Sequence, residues 1–155
     1  MSKNDSSMFG CAHNPDLCFM ETTAKQLPTP PWDMENAAQR LQLLEDDFNS
    51  ADPDNVIANF TEDADARFGL AFLSGREEIK QFLTREFATK HNYKLKLDLW
   101  GALKGRMAVR SELEWTDNNG LSFKSYGVQV FQFDDDGLIK MNYLSFNDEP
   151  IARAM

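Results

Sequence analysis

Only two cysteines occur in this chain of 155 residues, and both lie near its start, at Cys11 and Cys18. That excludes a disulfide scaffold for the rest of the chain. His13 stands between them, so Cys11, His13 and Cys18 offer three metal ligands but no well-placed fourth. The other reading is a tail whose cysteines fall there by chance. Basic residues are also scarce, 16 against 25 acidic, for a formal net charge of −9. This balance leaves no basic face for a nucleic acid or an anionic membrane. No apolar run approaches the length of a membrane span. Residues 1–20, MSKNDSSMFGCAHNPDLCFM, have no apolar central region, which predicts no secretory signal and a cytoplasmic protein. GxGxxG and P-loop motifs, Ser-His-Asp and Cys-His sets, and metal-ligand spacings are missing from the body of the chain. No nucleotide or metal cofactor is expected.

What remains is apolar and aromatic. The 42% apolar and 12% aromatic content suits one globular domain around one core. Residues 1–31 are polar, lack periodicity and end in LPTPP, which cannot be helical. They read as a flexible extension, dispensable for the fold, with the domain running over 32–155.

Asp33 caps a predicted helix over 33–50, with Ala37, Leu41, Leu44 and Phe48 on one face. Asp52-Pro53 opens a short second helix ending near Phe60, with Val56, Ile57 and Phe60 inward. DADARF (63–68) is extended, and Ser74-Gly-Arg-Glu77 reads as the capping box of a third helix ending near Lys90. Its apolar face is Ile79, Phe82, Leu83 and Phe87. From there the period drops to two. Strands are predicted at 93–103, 106–116, 122–133 and 138–146, separated by Lys104-Gly105, DNNG (117–120) and DDDG (134–137). Helices followed by a meander of strands is an α+β order. Strand 122–133 is apolar on both faces, with Phe123, Phe131 and Phe133 on one and Tyr126, Val128 and Val130 on the other. The helices cover one face. A second copy most simply covers the other, which predicts a homodimer through the outer sheet face.

The motifs Asn59-Phe-Thr-Glu-Asp-Ala64, Ser74-Gly-Arg-Glu-Glu-Ile79 and Phe133-Asp-Asp-Asp-Gly-Leu-Ile139 resemble the nuclear transport factor 2-like superfamily. That superfamily includes ketosteroid isomerases, scytalone dehydratases and polyketide cyclases. FLSGREEI…FLT (72–84), Ala-Val-Arg110, Glu-Trp115, Ser-Tyr-Gly127 and Asn-Asp148 bring residues 33–151 nearest to an uncharacterised branch of it. The resemblance implies a strongly curved, mixed but mainly antiparallel sheet wrapped around three helices, with a cone-shaped pocket between them. It does not supply a reaction. Laid over the ketosteroid isomerase pattern, the helix-1 tyrosine falls at Leu44 and the aspartate base at Phe68. The protonated aspartic acid of the oxyanion hole falls at Gln129, which keeps a neutral donor there. The nearer branch carries bulkier or more polar groups at Ala66, Gly69, Met141 and Asn142, and these exchanges imply a roomier, greasier pocket.

Gln129 raises the sharpest question, because a buried carboxamide is costly unless something hydrogen-bonds it. Closing DDDG as a two- or four-residue loop pairs Phe133 with Leu138, Phe131 with Lys140 and Gln129 with Asn142. A glycine bulge in the turn would break that register. Ser125, Phe131, Leu144 and Phe146 share the face of Gln129. The superfamily overlay turns that face inward and adds Val109, Ser111, Leu113 and Trp115, with Ala66 and Phe68 from the earlier extended segment. The result is an apolar chamber with a few placed polar groups, the usual make-up of a small-molecule site. Either Gln129 and Asn142 hold a ligand or they satisfy each other in a plain core.

The sequence therefore points to a cofactor-independent isomerase, cyclase or dehydratase for an apolar polyketide- or terpenoid-like molecule. Gln129 and Asn142 would be its catalytic pair, holding a carbonyl. The rival readings are a non-catalytic ligand-binding module and a dimerisation domain with a filled core. No proton-transfer group stands out. Asp98, Glu112 and Glu114 are out of phase with the inward residues, and His91 suits a helix end.

Overall fold

A computed structural model describes residues 26–151; Cys11, His13 and Cys18 lie outside the described residues. In chain order the elements are α1 (Met34–Asn49), α2 (Pro53–Ile57), β1 (Phe60–Phe68), β2 (Ala71–Ser74), α3 (Gly75–Thr89), β3 (His91–Leu103), β4 (Arg106–Thr116), β5 (Ser122–Phe133) and β6 (Ile139–Pro150). The strands form one six-stranded sheet in the order β2-β1-β6-β5-β4-β3. β1 and β6 run parallel and every other neighbouring pair is antiparallel. The helices lie against one face, as the α+β reading requires.

Local chemistry explains the helix ends. The Asp33 carboxylate accepts the Asn36 N–H at 2.7 Å, and the Asn36 side chain accepts the Asp33 N–H at 2.7 Å, which closes a capping box. The box expected at α3 forms differently. The Ser74 side chain does not cap the helix; Glu78, not Glu77, reaches back to accept the Ser74 N–H at 2.8 Å. Ala37, Leu41 and Leu44 of α1, Val56 of α2 and Ile79 and Leu83 of α3 meet Phe60, Val109, Phe131 and Ile139 of the sheet in one core. Arg40 is fully buried there, donating its Nε–H to the Gly137 carbonyl at 2.8 Å and lying over the Phe133 ring. Burial pushes its guanidinium down to about 10, against the pull of Asp47.

The last hairpin departs from the expected register. DDDG closes as a three-residue loop: Asp134 donates its N–H to the Leu138 carbonyl at 2.8 Å, and Gly137 takes φ +82°. Phe133 then pairs with Ile139 rather than Leu138. An irregularity at Lys140 adds a second one-residue shift, so Phe131 pairs with Asn142 and Gln129 with Leu144. Two one-residue shifts restore the parity, so the same residues still face inward. β6 also runs to Pro150, four residues beyond the predicted end at 146, and β2 was not predicted.

The expected boundary at Trp32 falls inside a packed stretch. The Asn36 side chain donates to the Thr29 and Pro31 carbonyls at 3.3 and 3.2 Å. Leu27 and Pro28 lie against Gly137, where an added Cβ would stand 2.4 Å from the Pro28 carbonyl oxygen. Gly137→Ala is thus opposed twice, by the left-handed backbone at about 1–2 kcal/mol and by the clash with Pro28. Denaturant melts of Gly137→Ala in the full chain and in a chain starting at Trp32 separate the two. The penalty should be larger in the full chain; equal penalties would show that Leu27–Pro28 yields freely.

Candidate functional site

A pocket of about 230 Å³ opens between the helices and the inner sheet face. Its walls are Phe48 of α1, Phe68 of β1 with Gly69 beyond it, and Phe82, Leu83 and Phe87 of α3. Leu113 of β4 and Leu144 and Phe146 of β6 close the sheet side. The polar lining is Glu86 of α3, Lys90 just past its end, Tyr93 of β3 and Asp148 of β6. The volume lies below the ~300–1,000 Å³ of ordinary ligand sites, so it suits a compact molecule.

The helix spacing of α3 puts Glu86 and Lys90 one turn apart, and they pair at 2.7 Å. The Lys90 ammonium lies 4.5 Å from the Trp115 ring centroid, and Trp115 stacks on Phe123. The indole N–H of Trp115 donates to Ser125 Oγ at 2.9 Å, and the Ser125 hydroxyl donates to Asp148 Oδ1. Burial, reinforced by Glu86, pushes the Tyr93 phenol up, so it remains an O–H group at neutral pH. Gly127 makes room at the sheet side. An added Cβ there would run into the Ser145 carbonyl oxygen and the Phe146 ring, so the close approach of β6 to β5 at this point needs glycine.

The residues singled out from the sequence separate into four sets. Phe68, Leu113, Leu144 and Phe146 line the pocket. Trp115 and Ser125 stand in the hydrogen-bonded chain behind Asp148. Ala66, Val109 and Phe131 belong to the core cluster. The amide pair lies near that core. Gln129 donates to Ser111 Oγ at 2.6 Å and accepts from the Asn142 amide at 3.0 Å; Asn142 also approaches the Val130 carbonyl at 3.4 Å. Gln129 is 6% exposed and Asn142 and Ser111 are 1% exposed. The two amides meet diagonally across β5 and β6, since Gln129 stands opposite Leu144 and Asn142 opposite Phe131. Of the positions where the resemblance implies bulkier or more polar groups, Gly69 borders the pocket, while Ala66 and Asn142 are buried without lining it.

Four groups were missed by the sequence reading: Glu86, Lys90, Tyr93 and Asp148. Glu86 and Lys90 read as an ordinary i, i+4 pair. Asp148 lies in a motif but beyond the end at 146 that the sequence predicts for the last strand. The carboxylates set aside as outward are outward. Asp98 and Glu112 flank Arg110, each at 3.8 Å, and Lys124 lies 3.2 Å from Glu112 and 3.9 Å from Glu114.

A family model described as "Protein of unknown function (DUF1348)" matches residues 30–155. Comparison with curated proteins gave no match. Among solved structures the chain is similar to SalBIII, described as an epoxide hydrolase/cyclase-like enzyme in pyran ring formation in the polyether salinomycin. That match has 21% identity and a TM-score of 0.62, and covers 74% of this chain and 95% of the other. A second is a protein with a ketosteroid isomerase-like fold from Catenulispora acidiphila, with 14% identity and a TM-score of 0.61, covering 67% of this chain and 82% of the other. A third is the BvnE pinacolase of Penicillium brevicompactum, with 17% identity and a TM-score of 0.59, covering 70% and 87%. The fold is the nuclear transport factor 2-like fold that the sequence motifs implied, and solved proteins sharing it include enzymes.

Both ends of the Gln129 carboxamide have protein partners, so Gln129→Leu strands Ser111 and Asn142 together. The expected cost is about 1–3 kcal/mol of stability, read from denaturant melts. An unchanged midpoint would mean that water reaches the amide chain.

Proposed function

The chain belongs to the DUF1348 family, and from that premise we propose that it is a cofactor-independent isomerase, cyclase or dehydratase for a compact, apolar polyketide- or terpenoid-like molecule. The observation that carries this reading is the aromatic pocket with its short set of polar groups at one end. The apolar walls fold and orient the substrate. Gln129 stands beside Leu144 of the pocket wall without lining the pocket itself; one of its amide hydrogens is spent on Ser111, and in this proposal the other reaches a substrate oxygen past Leu144, while Asn142 keeps the carboxamide oriented. Loss of such a donor lowers turnover by about 10²–10³-fold. Gln129→Glu tests the role, because the carboxylate still accepts from Asn142 but donates nothing.

The pocket itself is tested with 2-tetralone, a compact apolar ketone. At about a hundred times its Kd, a ligand specific to the folded state adds about 2.7 kcal/mol of stability. 2-Tetralone should raise the melting temperature of the wild type, and Leu144→Trp, which fills the pocket, should abolish the shift. No shift in the wild type would favour a domain with a filled core. A shift without turnover of any candidate substrate would favour a binding module.

The proposal includes a homodimer through the outer face. Tyr126, Val128, Val130 and Tyr143 are 44%, 64%, 44% and 41% exposed there, beside Trp100 and Leu103 at 71% each. A groove of about 560 Å³ crosses the same face where Gly101 and Ala108 lack bulk. Charges of both signs, Arg110 and Lys124 among Asp98, Glu112 and Glu114, rim the patch and suit a self-complementary two-fold contact. Val128→Glu leaves the isolated fold intact but buries an unpaired charge in the dimer, at a cost of several kcal/mol by order of magnitude. Sedimentation at micromolar concentration should show a dimer for the wild type and a monomer for the variant. A wild-type monomer would remove the dimer from the proposal.

A further inference from the structure

Asp148 stands at the pocket mouth with one carboxylate oxygen held from behind. Its Oδ1 accepts the hydroxyl of Ser125, and Ser125 Oγ accepts the indole N–H of Trp115 at 2.9 Å. Ser125 is fully buried. Trp115 is fixed on one side by Phe123, stacked at 4.4 Å and 15°. The Lys90 ammonium lies against the same indole. Two directional hydrogen bonds therefore set the orientation of a carboxylate that lines an apolar pocket. The other carboxylate of that lining, Glu86, is spent on Lys90 at 2.7 Å. Glu86 from α3, Lys90 just past its end and Tyr93 from β3 are the remaining charged or titratable groups of the pocket.

Resting on the pocket reading above, we propose that Asp148 is the general base of this site, and that the substrate is a carbonyl compound with an acidic C–H next to the carbonyl. The carboxylate takes that proton. The C–H electron pair becomes the carbon–carbon double bond of an enolate, and the carbonyl π pair moves onto oxygen. The Lys90 ammonium at the same mouth stabilises the resulting negative charge. Asp148 then returns the proton to carbon, at the same position or at a conjugated one, so no oxidant or reductant enters the balance. Ser125 and Trp115 are positioning residues for the base. Gln129 lies opposite Leu144, and Leu144 and Asp148 are four residues apart on β6, about 13 Å along a strand. The rear amide and the mouth therefore address different oxygens, which favours a substrate carrying more than one carbonyl.

The test is deuterium exchange at the α-carbons of 2-tetralone in D2O, followed by proton NMR, with binding read in parallel as the melting shift. The wild type should accelerate exchange over buffer. Asp148→Asn should lower the protein-dependent rate by about 10²-fold or more, with the melting shift retained. Ser125→Ala should slow exchange with the melting shift retained, because the carboxylate is no longer held in one orientation, and Ser125→Thr, which keeps the hydroxyl, should restore it. A Ser125 that only fills space would leave the exchange rate unchanged in Ser125→Ala. A bound ketone without accelerated exchange, or exchange unaffected by Asp148→Asn, overturns the assignment of the base and leaves the pocket standing. Failure of 2-tetralone to shift the wild type overturns the pocket reading and this one together.

Discussion

The edge strand β3 takes its missing hydrogen-bond partners from a helix. Both ends of the Asn49 carboxamide engage the backbone of Leu95, accepting its N–H at 2.6 Å and donating to its carbonyl at 2.9 Å. One turn earlier on α1, the Glu45 carboxylate accepts the Leu97 N–H at 2.8 Å. An unpaired strand edge invites pairing with another chain; here side chains of α1 fill part of that edge. The arrangement fixes α1 against one end of the sheet and seats Phe48, the residue before Asn49, in the pocket wall. At the other end of the helix pair, Asn59 donates to Asp47 at 2.9 Å and accepts the Ile139 N–H at 2.7 Å, tying α1 and the end of α2 to β6. The pocket is the space left between these two anchorages.

Much of this architecture is legible in the sequence, because the signals are strong where the packing is regular. β4 and β5 occupy their predicted ranges, since each alternates cleanly and is bounded by residues that favour tight turns. β2 escapes notice because four residues, Ala71–Ser74, cannot display a period against the helix that follows. The end of β6 escapes for another reason. Asn147, Asp148 and Glu149 carry no apolar alternation, and their strand geometry comes from pairing with Tyr126, Ser125 and Lys124.

The site is less legible than the fold, and the cause is the register. Pairing through a simple loop sets Ser125 opposite Phe146 and Asp148 opposite Phe123, at the far end of the sheet. The glycine turn and the irregularity at Lys140 move β6 along by two residues, which brings Asp148 opposite Ser125. Parity survives such a move, so the inward residues were identified correctly while their partners were not. The rest of the polar mouth comes from α3 and β3, and no linear spacing announces that Lys90 will lie on Trp115. Arg40 illustrates the same limit: it sits one turn from Ala37 and Leu44 on α1, yet nothing in its residue type announces that it is buried over Phe133.

The parallel pairing of β1 with β6 has a consequence for how the protein acquires its shape. Phe60 lies beside Ile139 and Phe68 beside Leu144, so strands far apart in the chain are neighbours at the centre of the sheet. Such contacts carry the loop-closure entropy of almost the whole domain and slow folding. The β3–β4–β5 meander is local and assembles early. β1, β2 and α3 have no sheet to join until β6 has been synthesised. On the ribosome, then, α3 emerges before its counterpart and exposes Phe82, Leu83 and Phe87 until the end of translation, a window in which a chaperone or aggregation competes for the surfaces that later become the pocket wall.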